Sequence, residues 1–422
     1  MRRLLVGLLA VMVAGCALTS SATEPATLRV IMADDWASAP LVGEVIADFE
    51  EEHPELRVQV QGSPFSQIPE LVENAEELSQ PYDLAHWHAF AAAAAGLAEP
   101  LDDLWEQAGL SEEDYLPGAV LDVTWDGSRY GVPLDVNALV LLANRELLAA
   151  AGVAEDDLAD VEHFADHAAS LAALESTEHA LAVTASSWVA YGWIVAGGGQ
   201  LLETDGDGMA VLDDRGLPTF TFDHPRTIAM IDTLASLVDS GAAPSPLAPD
   251  LAMDAISSFA DGQSALHASG SWDLPIARST LQADVGEEDV AILPLPQLDP
   301  ATPRTVLGGS SLFVPEGAPE RELAFELALA LTELEVGLDL AEQEGRLPAR
   351  AAAYEAPLFE ATPDLAAFVR HLEHAQVMPL IAYPEVAVAF RDGLDAALAG
   401  RASAAEAMER VQDAADRWRT QR

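Results

Sequence analysis

Aromatic residues stand at positions in this sequence where they could bind a ligand. Only 6% of the chain is aromatic, yet tryptophan and tyrosine are concentrated at the expected ends of strands and helices. These residues are Trp36, Trp87, Trp188, Tyr191, Trp193 and Trp272. Ligands of α/β proteins bind at such ends, and indole faces stack on the apolar side of a sugar ring, so the pattern predicts a carbohydrate site. A lone tryptophan more often packs in a core, but four separate loop ends favour binding.

The usual signatures of an enzyme are missing from the sequence. It contains no G-x-S-x-G elbow, Walker loop, H-E-x-x-H helix or G-x-G-x-x-G fingerprint. His371 and His374 share a predicted helix face without a nearby third ligand, and the acidic segment 203–214 departs from a calcium loop at its first and twelfth positions. We therefore expect no catalytic residue, no metal and no cofactor.

The hydrophobic pattern predicts an α/β fold. A buried strand at 28–32 precedes a helical pattern at 41–49, which ends before Pro54, and an alternating strand at 56–60 follows. Strand, helix and strand in this order indicate a βαβ unit and a parallel sheet. A chain of 422 residues exceeds what one core usually holds, so we expect two domains.

The amino-terminal residues have the pattern of a secretion signal. Two arginines precede the apolar stretch 4–14, which is too short to span a bilayer. The stretch ends in Val13-Ala14-Gly15-Cys16, which resembles a bacterial lipobox, although Val13 stands where leucine is more usual. We expect a signal peptide at 1–15, a lipidated Cys16 followed by a linker to residue 26, and a location in the periplasm or at the cell surface. The alternative is an ordinary cleavable signal with an incidental cysteine.

The chain is strongly acidic. It has 70 Asp and Glu against 20 basic residues, all of them arginine, and a formal net charge of −50. Such a surface repels nucleic-acid phosphates and anionic lipids, so neither is an expected partner except for the membrane reached through the lipid anchor. Half of the residues are hydrophobic, which excludes a disordered polyanion. Adaptation to salt explains the acid excess better than genome composition does.

Several short motifs, specific in their order and spacing, resemble a known family. Over essentially the whole mature chain the sequence is similar to the extracellular solute-binding proteins of ABC importers, in the carbohydrate-binding group that includes maltose-binding protein. The motifs are the segment 131–137 (GVPLDVN) leading into 140–147 (VLLANREL), the triple glycine 197–199, 259–262 (FADG) preceding 270–272 (GSW), 308–311 (GGSS) and 345–350 (GRLPAR).

The resemblance implies two α/β lobes joined by a hinge, with the ligand in the cleft between them. On this basis lobe 1 comprises 27–136 and 309–345, and lobe 2 comprises 137–308 and 346–422. The resemblance also implies a monomer that closes around its ligand and delivers it to the permease subunits of an ABC importer.

The resemblance also implies roles for individual residues. Asp135 and Asn137 would bind ligand hydroxyls at the hinge, and Trp272 would stack on the ligand in the cleft. Gly309 and Ser310 would offer backbone and hydroxyl donors. Arg346 either contacts the ligand or forms an ion pair at the hinge. The remaining aromatic candidates are assigned from their loop positions alone.

The leading hypothesis is therefore capture of a mono- or oligosaccharide for import. A binding protein for a cationic solute, such as a polyamine or a quaternary ammonium osmolyte, is the alternative, because the chain is acidic and tryptophan also binds such groups. A secreted glycoside-processing enzyme is a third hypothesis, but so many carboxylates are present that any pair can be proposed as its acid and base.

The acid excess leads to a prediction about salt. Repulsion among surface charges acts over about 30 Å at 0.01 M salt and over only about 3 Å at 1 M. The melting temperature should therefore rise as NaCl is increased through the molar range in thermal scans of the purified protein. A flat or falling dependence would leave genome composition as the explanation.

Overall fold

The computed structural model describes residues 26–183, 186–205, 209–244, 251–280 and 289–422. The expected signal peptide, Cys16 and nearly all of the linker lie outside these ranges, as does part of the acidic segment 203–214. Within them, no helix has both the length and the apolar character needed to cross a membrane.

Strands occur along the whole of the described chain and are numbered in chain order. They are β1 (Ala26–Ala33), β2 (Leu56–Ser63), β3 (Leu84–Trp87), β4 (Thr124–Trp125), β5 (Ser128–Arg129), β6 (Gly131–Ala138), β7 (Val140–Asn144), β8 (His179–Ala182), β9 (Ser264–Ser269), β10 (Val290–Leu293), β11 (Thr305–Phe313), β12 (Leu347–Pro348) and β13 (Ala375–Gln376).

Helices connect and cover these strands. They are α1 (Asp34–Ala37), α2 (Pro40–Glu52), α3 (Ile68–Glu77), α4 (Ala89–Ala94), α5 (Asp102–Ala108), α6 (Pro117–Val123), α7 (Arg145–Ala151), α8 (Val161–Ala172), α9 (Ser187–Ala196), α10 (Pro225–Asp239), α11 (Leu251–Ala260), α12 (Leu274–Thr280), α13 (Arg321–Leu331), α14 (Leu334–Glu344), α15 (Pro357–Ala361), α16 (Pro363–Leu372), α17 (Pro384–Leu398) and α18 (Ala404–Gln421).

Two main sheets organise the described residues, beside the separate antiparallel pair of β4 and β5, which confirms the α/β class. The larger sheet has the order β12-β6-β11-β3-β1-β2, with β13 also paired to β11, and the smaller has the order β10-β7-β9-β8. The expected parallel pairing holds for β1 with β2 and β3. It fails for β11, which runs antiparallel to both β3 and β6, so the sheet is mixed.

The local sequence explains where several helices begin and end. The side chain of Asn144 accepts a hydrogen bond from the amide of Leu147 and caps the start of α7, while Gly152 ends that helix with φ +70°. Apolar residues lie on all faces of helix α9. Such a helix is stable only when it is enclosed, and α9 is buried from Val189 to Ala196.

The chain moves between the two cores along β6 and β11. Val136 and Leu312 pack in one hydrophobic core, whereas Leu139 and Val306 pack in the other. The expected lobe boundaries at 136/137 and 308/309 fall within these two paired strands.

The expected third boundary, after Gly345, needs correction. Residues 347–348 form β12, which pairs with β6 in the larger sheet, and the carbonyl of Ala349 accepts a hydrogen bond from the amide of Leu116. After Gly345, the first buried residue that packs in the second core is Val377. The segment after Gly345 therefore continues along the larger sheet, because β12 is an extra edge strand of that sheet.

Candidate ligand site at the junction of the sheets

The paired strands β6 and β11 place several polar side chains on one face. Asp135 and Asn137 are two residues apart and therefore point to the same side of β6. Across the pair, Asp135 lies opposite Ser310 and Asn137 lies opposite Gly308. The Ser310 hydroxyl donates to Asp135 Oδ1 at 2.5 Å. Three residues expected at the site are thus brought together.

Asn137 lacks a hydrogen-bond partner for its side-chain oxygen. Only 7% of the residue is exposed, and Oδ1 is buried with no partner among the described residues. The amide lies against Gly308, where an added Cβ would be 2.0 Å from Asn137 Oδ1 and 2.7 Å from Trp188 Cζ2. Glycine is therefore required at 308 by close approach. An unpaired buried amide costs stability, which ligand binding can recover.

Gly309 is the second glycine that the strand pair requires. It has φ +124°, and an added Cβ would lie 2.3 Å from the carbonyl oxygen of Asp135. The pairing register shifts immediately afterwards, between Ser310 and Ser311. Ser310 and Ser311 are successive residues of the strand, and their hydroxyls belong to separate hydrogen-bond networks.

Two half-buried tryptophans lie beside these strands. Trp188 is in the first turn of α9, and its indole N–H donates to the carbonyl of Leu307 at 3.2 Å. The ring centroids of Trp188 and Trp272 are 5.9 Å apart at an interplanar angle of 45°. The pair therefore forms an aromatic wall next to Gly308 and Asn137, which is a suitable surface for an apolar ring face.

Hydrogen bonds fix the turn that presents Trp272. Asp273 Oδ2 accepts from the Ser269 hydroxyl at 2.5 Å and lies 2.9 Å from His267 Nε2. Both partners belong to β9, so the turn is tied to the smaller sheet. On its other side, an added Cβ on Gly345 would lie 2.8 Å from the carbonyl oxygen of Ser271. The Trp272 turn thus contacts the chain segment that leads into β12.

Arg346, the residue after Gly345, makes ion pairs beside this face. Its Nη2 donates to Asp35 at 2.9 Å and its Nε donates to Glu344 at 2.8 Å. The guanidinium lies 4.3 Å from the ring centroid of Trp36, which is only 4% exposed. Trp36 is therefore covered by Arg346, which corrects its expected role as an open stacking surface.

His86 is a member of the site that the sequence did not indicate. Its Nδ1 accepts from the backbone amide of Ala33 at 3.2 Å, and its Nε2 lies 2.7 Å from the Ser310 hydroxyl. Burial lowers the pKa of His86 to about 3, so the ring is neutral at physiological pH. A backbone amide only donates, so the ring proton is on Nε2 and is donated to Ser310.

Burial also raises the pKa of Asp135 to about 6. The Ser310 hydrogen bond and the charge of Arg346 partly oppose this effect, whereas Asp35 and Asp122 add to it. Asp135 is thus ionised at neutral pH at a cost in folding free energy.

Two of the expected site residues lie in a hydrophobic core instead. Trp193 is fully buried in the second core, with its ring centroid 5.2 Å from that of Phe164, and Tyr191 is 4% exposed on the same helix. Both are core residues because α9 is enclosed, which corrects their expected role. Trp87 is half-buried at the end of β3, where its ring contacts His88 and its carbonyl oxygen lies 3.0 Å from the Ser311 hydroxyl.

Comparison with known proteins identifies relatives of this fold. The acarbose-binding GacH receptor of Streptomyces glaucescens superposes with a TM-score of 0.78 at 22% identity, covering 92% of this chain and 97% of that one. Maltose-bound MalE3 of T. maritima gives 0.77 at 19% identity, covering 93% and 99%. UgpB of Mycobacterium tuberculosis, in complex with glycerophosphocholine, gives 0.78 at 20% identity, covering 93% and 98%.

These likenesses show the fold, a two-lobe arrangement of α/β units. A search of curated protein sequences found no match. The model of one sequence family, described as bacterial extracellular solute-binding protein, matches residues 44–367. That span is most of the chain and includes the smaller sheet, most strands of the larger sheet and the β6–β11 pair, so the chain belongs to the family of bacterial extracellular solute-binding proteins.

Proposed function

We propose that the protein binds a neutral mono- or oligosaccharide on the face of β6 and β11 and delivers it to an ABC importer. The observation that carries this proposal is the unpaired side-chain oxygen of Asn137 beside the Trp188–Trp272 wall. An amide and a carboxylate bind sugar hydroxyls, and an indole face covers the apolar side of the ring. The sugar-binding relatives support the same function.

The charges of the site favour a neutral ligand over an anion. Asp35 and Glu344 are both paired with Arg346, so the positive charge of the Arg346 guanidinium is already neutralised. Asp135 adds a further negative charge at neutral pH. An anionic solute would have to break these pairs, whereas hydroxyls need only accept and donate hydrogen bonds.

A cationic solute is the second candidate. Carboxylates at positions 35, 122, 135 and 344 lie around the site, and UgpB, a structural neighbour, was solved with glycerophosphocholine. The aromatic wall would suit a quaternary ammonium group as well as a sugar.

We further propose that the protein works outside the cytoplasm as a monomer anchored by a lipid on Cys16. The extracellular family supports this location, and the residues before the fold have the pattern of a signal peptide and lipobox. Closure of the two lobes about β6 and β11 would enclose the ligand and present the form that the permease binds. The acid-rich surface would be an adaptation to environmental salt.

Removal of an aromatic ring tests the site. Trp272→Ala should weaken sugar binding about tenfold, because loss of a stacked ring removes roughly 1–2 kcal/mol of contact. Calorimetry in molar NaCl should use maltose, maltotetraose, acarbose and tagatose as sugar probes, and choline and spermidine as cationic probes. Binding of a cationic probe alone would favour the cationic candidate, and binding of none would refute both.

Trp193→Phe is the matched control, because this tryptophan lies in the core of the same lobe. The variant should lower the melting temperature, at a cost of about 1–3 kcal/mol, and leave the sugar Kd unchanged. Equal effects of the two substitutions on Kd would show that Trp272 acts only through stability.

Asp135→Asn should separate stability from binding. The pKa of Asp135 is raised to about 6 from 3.8, so the folded state holds the proton more tightly than the unfolded state. Its ionisation therefore costs nothing below about pH 4 and becomes destabilising as the pH rises through 6, by at most about 3 kcal/mol. The amide variant avoids this cost and still accepts from Ser310.

Denaturant unfolding should therefore show Asp135→Asn to be more stable than wild type at pH 7.5, with the difference vanishing near pH 4. Its affinity for a bound sugar should fall about tenfold, since an acceptor of a hydroxyl hydrogen bond becomes a donor. A variant that loses stability at pH 7.5 would contradict the assignment of Asp135 as a destabilised buried carboxylate.

A further inference from the structure

A directed chain of hydrogen bonds ends at Asp135. It begins at the amide of Ala33 at the end of β1, passes through His86 on β3 and Ser310 on β11, and reaches Asp135 on β6. The backbone amide only donates and the carboxylate only accepts, so the direction of every bond between them is fixed. His86 and Ser310 are 1% and 5% exposed, so water does not compete for these bonds.

The chain leaves one oxygen of Asp135 for a ligand. Oδ1 receives the Ser310 hydroxyl, whereas Oδ2 has no hydrogen-bond partner among the described residues, and the side chain is partly exposed. With Oδ1 held, the free oxygen has a defined direction beside Asn137 and the aromatic wall. A fixed acceptor loses less conformational entropy on binding than a mobile one.

We propose that His86 and Ser310 are positioning residues of the ligand site, which hold Asp135 so that its free oxygen accepts a hydrogen bond from the bound solute. This proposal rests on the proposed function, because it assigns Asp135 to a sugar hydroxyl. Neither His86 nor Ser310 needs to touch the sugar in this role.

The surroundings of Asp135 make the role measurable. The charged and titratable groups near it are Asp35 of α1, Asp122 of α6, Arg346 before β12, Tyr354 after β12, and His86, which reaches it through Ser310. The Ser310 hydroxyl lowers the pKa of Asp135 by stabilising the carboxylate. Without this hydroxyl the pKa of Asp135 should be higher, so Asp135 should lose its proton only at higher pH. As the pH is lowered, sugar binding should then begin to weaken at a correspondingly higher pH.

Ser310→Ala tests this, with Ser311→Ala as the matched control. Ser311 is the next residue of the same strand and is fully buried, but its hydroxyl donates to Asp122 at 2.8 Å instead. The titration of Asp135 is measured without ligand, as the pH dependence of the stability difference caused by Asp135→Asn in each background. Ser310→Ala should raise the midpoint by about one pH unit, and Ser311→Ala should leave it in place.

The second measurement is the affinity for maltose between pH 5 and pH 8. Ser310→Ala should weaken maltose binding roughly tenfold at pH 7, and the loss of affinity at acid pH should set in about one pH unit higher than in wild type. Ser310→Thr, which keeps the hydroxyl, should retain the wild-type affinity and pH dependence. His86→Leu should resemble Ser310→Ala, and His86→Gln, which keeps a donor, should recover part of the affinity.

The outcomes separate this proposal from the proposed function. Maltose binding whose strength and pH profile are unchanged in Ser310→Ala overturns the positioning role and leaves sugar capture intact. Equal shifts in the Ser310 and Ser311 variants overturn it as well, because the effect is then one of general packing. If wild type binds no sugar of the panel, the proposed function fails and the assignment of Asp135 to a sugar hydroxyl fails with it. This holds whatever midpoint is measured for the titration of Asp135 without ligand.

Discussion

The candidate site depends on the pairing of β6 with β11, the two strands along which the chain passes from one hydrophobic core to the other. Gly308 and Gly309 allow this pairing, because a side chain at either position would collide with Asn137, Trp188 or the backbone of Asp135. The same close approach aligns Asp135, Asn137 and Ser310 on one face. A single steric constraint thus produces both the link between the sheets and the polar surface of the site.

This polar surface is only partly satisfied by the protein itself. Asp135 is ionised in a half-buried position and Asn137 lacks a partner for its oxygen, and each condition costs folding free energy. A hydrophobic or fully paired strand junction would be more stable. Retention of two costly groups at one place is expected where a ligand supplies the missing hydrogen bonds, and stability and binding are then in competition at the same residues.

The sequence predicted the fold more completely than the site. The alternation of Leu134, Val136 and Ala138 with Asp135 and Asn137 is the signal of a half-buried strand with one polar face, and it could have placed β6, which the helix and strand pattern alone did not identify. The tryptophans were harder to separate, since Trp188 and Trp193 lie on one helix. The apolar character of all faces of α9 indicates that the helix is enclosed, and Trp193 is buried for that reason. Trp188 lies in the first turn, before the enclosed part of the helix begins. His86 had no sequence signal, because its role depends on partners more than 50 residues away in the chain.

The acid excess of the chain and the charge of the site are separate matters. A net charge of −50 is a property of the whole surface, whereas at the site Asp35 and Glu344 share the single positive charge of Arg346, which leaves one net negative charge among the three groups. Asp135, on the face of β6 and β11, forms no ion pair with a described residue, and its burial weakens its charge by favouring the proton. High salt would screen the outer surface but act far less on this buried group. A protein in a saline environment can therefore carry a strongly acidic exterior and still select its ligand by hydrogen bonds and aromatic contact.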